Sequence, residues 1–475
     1  MNLLRTTAAA GLAGLSILLS AQTPQPAQWS REIPDFNKNA YQSQLACADG
    51  TVYGSRWFSQ PISAQLIKLA PDGKTGSKEL VLPHKKKHNA FNAFVMIGGK
   101  PCIVYDDWDK KTGVLQLSLQ AYSPALDPEG PPVALGSIPL NPKSYYGSSI
   151  LLSTKHSADR TKTLIYYDDI QQGSVKLGMY WVVDENRELL WSGAYRIPVV
   201  ALGSSTSTWL ANDGHVHVRV KAVGLEDVKT KEKKDGTEAL RTQAMPWRNM
   251  RTSWYEMFGE TFNKWEPDTE DGEVGWNLSF ANHGNTNMLA GLRTTGSGKD
   301  ITAEWVVLRL DDGLSPVMVG RGPAKAVSGE GALESAVVDE AGNVYVSMLF
   351  KESTYLARID QGSSLAWEHM LAWNNPSFFL YKGQASSMSG IAKGKVDKVL
   401  AGEAFQTVQM TNTTEVPMAI AVGPDGKDRR MVLLPEEEIR GFMSWEFNPE
   451  SIIDCDCYTN LTPKTKGFVS IKLAE

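Results

Sequence analysis

Residues 336–371, AVVDEAGNVYVSMLFKESTYLARIDQGSSLAWEHML, contain an apolar run, a turn at Glu340-Ala341-Gly342, two alternating runs and a final run bearing Trp367. Alternation with period 2, punctuated by Gly, Asp and Asn, codes for antiparallel strands joined by hairpins. A four-stranded meander of this kind exposes its faces and edges unless other sheets cover them. What the chain can fold into therefore depends on whether the unit recurs.

It recurs. QLACADGTVYGSRWF followed by AQLIKLAPDGKTGSKELVL has the same order of runs near the N-terminus, and STWLANDGHVHVRV repeats the first half at 207–220. GMYWVVDENRELLWSGAYRIP, EWVVLRLDDGLSPVMVG and MAIAVGPDGKDRRMVLL repeat the second half. With strands lettered A to D, the A strands are expected near residues 43, 91, 147, 206, 276, 334, 387 and 441. That gives eight units, with seven left open by the weak eighth.

An open row of meanders would leave its end sheets uncovered, whereas a ring does not. The chain ends carry the signature of closure. The terminal GFVSIKLAE matches a C strand and then stops, while AQWSREIP, ahead of the first A strand, matches the D strands LLWSGAYRIP and LAWEHML. The expectation is an all-β fold: one β-propeller of four-stranded blades, spanning 22–475, whose N-terminal strand completes the last blade.

The units resemble the β-propeller repeats of exported bacterial proteins of the form D-x-x-G-N-V-Y-V … Y-L-A-R-I-D, here Asp339 to Val346 and Tyr355 to Asp360. They are also similar to the eight-bladed propellers of outer-membrane assembly factors and quinoprotein dehydrogenases, whose blades carry a Trp after a turn, matched by Trp191 and Trp367. The adjacent Cys pair that goes with a quinone cofactor is not in the sequence, so no cofactor is expected. Neither resemblance fixes an activity.

MNLLRTTAAAGLAGLSILLSAQ has one charge at Arg5, an apolar core from Ala8 to Leu19 and small residues at Ser20-Ala21. It reads as a secretory signal peptide over 1–21, too short to span a bilayer, with no Cys after it to take a lipid anchor. The expected protein is exported, periplasmic or secreted, monomeric and without a membrane span. A net charge of −5 gives no electrostatic footprint for nucleic acid.

Strand alternation sends the A–B and C–D turns to one face and the B–C and D–A connections to the other. The first set is short (ADG, NDG, EAGN, PDGK, DENR), the second long and varied. Function on a rigid scaffold sits on the variable loops, so the long-connection face is the expected binding face, for a protein or polysaccharide. Tyr145, Tyr146, Phe378 and Phe379 lie in D–A connections that would rim the channel mouth. An insertion at about 221–254 interrupts the fourth unit between strands B and C. Its second half brings together Trp247, Arg248, Arg251 and Trp254, anchors suited to sugar rings, carboxylates or a protein surface.

Asp106-Asp107 and Asp168-Asp169 end the B strands of neighbouring units. Carboxylates there would serve as ligand contacts, as a Ca²⁺ site, or as the acid and base of a metal-assisted hydrolase or lyase, the alternative to a non-catalytic binder. Asp is also simply common where a strand turns. His215 and His217 share a strand face at a spacing that suits a metal, yet the repeat aligns His217 with Tyr53 and Tyr345, so a structural aromatic is expected. His84 and His88 flank three lysines and read as a solvated loop. Cys47 in the first unit and Cys455 or Cys457 in the last would meet across the ring closure, where a disulfide would staple a loop of about 400 residues; Cys102 is open to another partner. No nucleophile elbow, phosphate loop or zinc motif is present in the sequence.

Overall fold

The computed structural model describes strands between residues 29 and 472. Side chains are described over 50–55, 64–70, 74–80, 93–107, 114–138, 152–167, 177–196, 206–221, 252–267, 275–296, 300–327, 335–350 and 354–368, with Asp72 and Met370. The fold is all-β, and among the described residues no helix is long and apolar enough to cross a membrane.

Seven four-stranded antiparallel sheets and one three-stranded sheet form among the described residues. Sheet 1 holds Leu45–Ala48, Thr51–Ser59, Ile62–Leu69 and Thr75–Leu80. Sheet 2 holds Phe91–Ile97, Lys100–Asp109, Val114–Tyr122 and Pro128–Pro139. Sheet 3 follows with Ser153–His156, Lys162–Gln172, Val175–Asp184 and Leu189–Pro198. Sheet 4 comprises Ser205–Leu210, Val216–Val223, Met250–Phe258 and Thr261–Trp265. Sheet 5 spans Val274–His283 to Ser315–Pro323, and sheet 6 spans Glu334–Val338 to Ser364–Leu371. Sheet 7 pairs Pro376–Tyr381, Gln384–Ser389, Met418–Val422 and Arg429–Leu433 in that order.

Sheet 8 closes the ring. Trp29–Glu32 pairs antiparallel with Gly467–Lys472, in the register Trp29↔Ser470 to Glu32↔Gly467, and Gly467–Lys472 pairs in turn with Cys457–Thr462. The first described strand thus supplies the outer strand of the last sheet, as the sequence predicts.

The hydrophobic core is divided among the gaps between successive sheets. Tyr53, Leu66 and Leu80 of sheet 1 meet Phe94, Ile103 and Tyr105 of sheet 2. Leu117 and Ile138 of sheet 2 meet Ile165 and Trp181 of sheet 3. Tyr166 and Tyr180 of sheet 3 face Val218 and Tyr255 of sheet 4, and the pattern continues between sheets 4 and 5 and between 5 and 6. Among the described residues, sheets 2 to 5 each bury both faces against their neighbours, which is propeller packing.

The D-x-x-G-N turn of sheet 6 has a local cause. Asp339 accepts from the Asn343 backbone amide at 2.8 Å and from its side chain at 3.0 Å, Gly342 takes φ 82°, and the Tyr345 hydroxyl donates to Asp339 at 3.3 Å. One carboxylate thereby closes the hairpin that the two strands require.

The same turns tie neighbouring sheets. Asn212, in the A–B turn of sheet 4, accepts from the Asp159 amide of sheet 3 at 3.1 Å and donates to Gly284 O of sheet 5 at 2.8 Å. Asn287 of sheet 5 donates back to Asp213 at 3.2 Å, and Trp191 of sheet 3 donates to Gly214 O at 3.1 Å. The A–B turns of sheets 3, 4 and 5 are thus tied to one another.

Three placements differ from expectation. The insertion in sheet 4 is shorter than 221–254, because strand B runs to Val223 and strand C begins at Met250. Within it, Leu225–Glu232 and Glu238–Ala244 form their own hairpin. In sheet 7 the A strand is Pro376–Tyr381 rather than a strand near 387, which is strand B. A second B–C insertion follows, with the two-stranded pairs Ala392–Lys393/Glu415–Val416 and Val396–Ala401/Gln406–Met410. Cys102 is a free thiol in the core between sheets 2 and 3, where burial pushes its pKa up to about 12.

Candidate functional site

The long-connection end of the gap between sheets 4 and 5 concentrates cationic and aromatic groups at the root of the 224–249 insertion. Strand B of sheet 4 reads V-H-V-R-V-K from Val216 to Lys221. Its valines pack toward sheet 3. The alternate positions, His217, Arg219 and Lys221, turn to sheet 5, as the strand period requires.

Arg219 is 2% exposed; it donates to Leu278 O at 3.0 Å and to the Ser207 hydroxyl at 3.0 Å, and lies over the Trp209 ring at 5.7 Å. Burial lowers its pKa to about 10, which leaves it cationic at neutral pH. Lys221, two residues nearer the insertion, donates to the Asn277 side chain. Burial, then the charge of Arg219, brings its pKa down to about 7. A lysine poised there exchanges its proton near neutrality, so the charge at this mouth depends on pH.

Aromatic rings extend outward from these cations. Trp254 lies 4.9 Å from Trp265, Trp265 stands edge-on to Trp276 at 6.3 Å, and Arg293 covers Trp276 at 5.6 Å while pairing with Glu304 at 3.0 Å. Trp265, Trp276 and Arg293 are half-buried, so each keeps a surface for a ligand. Exposed indole faces stack on apolar or cationic groups, and a guanidinium pairs with acidic ones.

Of the residues expected to bind, Trp254 is corrected. It lies in strand C, 1% exposed, in the core shared by sheets 4 and 5, and holds Trp265 rather than touching solvent. Arg251 is also in strand C, paired with Ala222. Trp247, Arg248, Tyr145, Tyr146 and Cys455 lie outside the described residues. Phe378 and Phe379 sit in strand A of sheet 7, paired with Ser387 and Ser386, not in a loop.

Asp106 and Asp107 lie inside strand B of sheet 2, which continues to Asp109. Asp106 is 1% exposed and Asp107 is exposed; both line a lateral cavity between sheets 1 and 2. Asp168 and Asp169 sit where the register slips between Tyr167 and Ile170, a bulge within strand B of sheet 3. Cys47 is in strand A of sheet 1 and Cys457 in sheet 8.

His217 takes the structural role that the repeat assigned. It is buried and stacked on Phe280 at 4.2 Å, and burial lowers its pKa to about 3. Glu256 lies 3.9 Å away, too far for a hydrogen bond, and a neutral ring gains no ion pair from it. His215 instead bonds Asp213 at 3.0 Å and stacks on Phe258 at 4.4 Å.

Sequence reasoning missed Arg219, Lys221, Trp265, Trp276 and Arg293. The signal was present for the first two: three bases at every second position of a strand whose other face is all valine. Trp265 and Trp276 gave no such signal, since they flank the D–A connection and meet only through the fold.

No protein-family model matches the chain, and no curated protein sequence does. Among solved structures, the chain is similar to a polysaccharide lyase, Uly1, at 10% identity and a TM-score of 0.38, over 86% of this chain and 94% of that one. It is similar to an acylaminoacyl peptidase of Pyrococcus horikoshii at 12% identity and a TM-score of 0.35, over 82% of this chain and 58% of the peptidase. A Synechocystis apocarotenoid oxygenase mutant matches at 10% identity and a TM-score of 0.33, over 88% and 92%. At these identities and scores the likenesses say nothing of activity.

Proposed function

We propose that the chain is an exported, non-catalytic propeller, of eight blades on the repeat count, that binds a protein or polysaccharide on its long-connection face. One observation carries the reading. Both inserted elements, the hairpin of sheet 4 and the paired strands of sheet 7, leave from B–C connections and so from the same face. The opposite face is occupied by turns that bond to one another. Elaboration on one face and structural ties on the other fit a scaffold that presents a single binding surface.

The test is a glycan array and a pull-down with the exported chain, wild type and with Trp247→Ala plus Arg248→Ala. The double variant should lose roughly thirtyfold in affinity, about 2 kcal/mol, with an unchanged melting temperature. Asp72→Ala, in a short turn, should bind as wild type. A double variant that binds normally would place the site elsewhere, and one that unfolds would make these residues part of the frame.

A further inference from the structure

A cavity of about 610 Å³ opens on the flank of the ring between sheets 1 and 2. Its volume falls within the roughly 300–1,000 Å³ of small-molecule sites. One wall is the outer strand of sheet 1, at Lys78, Glu79 and Leu80, and the other is the face of sheet 2. This location differs from the long-connection face, and the inference stands apart from the reading given for that face.

We propose that this cavity binds one unit of a neutral sugar. The base is apolar: Leu80 and Leu126 are buried beside the rings of Tyr105 and Tyr122. Leu126 is turned inward by a left-handed backbone, φ 66°, as Leu314 is at the matching turn of sheet 5. Such a base suits the apolar face of a pyranose ring.

The polar groups are few and fixed. The Tyr105 and Tyr122 hydroxyls bond to each other, and a pair of phenols that shares one hydrogen bond keeps one O–H to donate. Burial raises the pKa of both, so both stay protonated. The Gln120 amide nitrogen donates to the carbonyls of Ala121, Glu129 and Gly130 at 2.9, 3.3 and 3.4 Å. Gln120 also lines the cavity, and with its nitrogen so engaged the amide contributes its oxygen as an acceptor. Ser118 offers a hydroxyl, and exposed Asp107 offers a carboxylate at the rim that can accept from vicinal hydroxyls.

Charge selects against acidic ligands. Asp106, Asp107 and Glu79 line the cavity, while Lys78, the one cation among the described lining residues, is bonded to Asp127. An anion there would meet net repulsion. Donors, acceptors and an apolar base, with no free cation among the described lining residues, match an uncharged polyol ring.

The test is calorimetric titration of the full chain with methyl glycosides of glucose, galactose, mannose and N-acetylglucosamine, beside glucuronate and butylamine. At least one neutral glycoside should bind with a Kd near or below ~1 mM and more tightly than glucuronate. Gln120→Leu should weaken it about tenfold, and so should Asp107→Asn, whose exposed position leaves folding unaffected. Deletion of 225–244 should leave glycoside binding unchanged. The proposal is overturned if no glycoside binds by about 10 mM, if butylamine binds and the glycosides do not, if Asp107→Asn binds as wild type, or if the deletion abolishes binding.

Discussion

His217 shows how a polar residue serves in this core. Its ring is stacked and buried, and its pKa is held at about 3, whereas an unfolded histidine titrates near 6.5. Between those values the unfolded chain binds the extra proton, so stability is lost as pH falls. His156, also lowered to about 3 by burial, acts in the same direction. His215 acts oppositely: its bond to Asp213 raises its pKa, so its contribution is complete at low pH and is lost as pH rises through the raised value. Comparison with a His217→Phe variant isolates the first effect. Between pH 7 and pH 5 the wild type should lose about 2 kcal/mol more than the variant in chemical denaturation; equal losses would refute a neutral buried His217. This role was legible in the sequence, because the repeat set His217 against Tyr53 and Tyr345. Trp254 was misread for a related reason. RTSWYEMF alternates as a strand, but the charged insertion before it drew Trp254 into a surface cluster, and only the pairing of Trp254 with Arg219 across the sheet places it in the core.

At the scale of elements, the turns and the closing strand are the parts that hold sheets to one another. Asn212 bridges sheets 3 and 5 by two hydrogen bonds. Asn212→Ala should cost about 1–3 kcal/mol, read from the denaturation midpoint, and an unchanged midpoint would show that these bonds exchange freely with water. The strand Trp29–Glu32 supplies the outer edge of sheet 8. Removing 22–34 exposes that edge, and the truncated chain should lose its single cooperative transition or its solubility; a melting curve like that of the full-length chain would contradict closure by this strand. Closure was legible because a terminal C strand lacked its D partner and a D-like run stood at the other end. The A strand of sheet 7 was not. NNPSFFLYKGQASS reads as a loop because of its Pro, Gly and Ser, yet Pro376 sits at the first strand position, where a missing donor is tolerated. The second insertion hid the unit further by separating strands B and C.

For the molecule as a whole, the two faces of the ring differ in what their connections do. Short turns on one face bond to neighbouring sheets, while both insertions rise from the other, where Arg219, Lys221, Trp265 and Trp276 meet at the root of one of them. The division of faces was legible from connection lengths alone. The cationic and aromatic cluster was not, because its members come from different sheets. Hydrogen exchange of the full chain, with and without the strongest array glycan or the partner recovered by pull-down, reads the proposed binding face directly. The account predicts added protection at 224–249 and at the strand ends bearing Lys221 and Trp276, with none at the turns around Asn212 and Gly342. Protection confined to those short turns would contradict it.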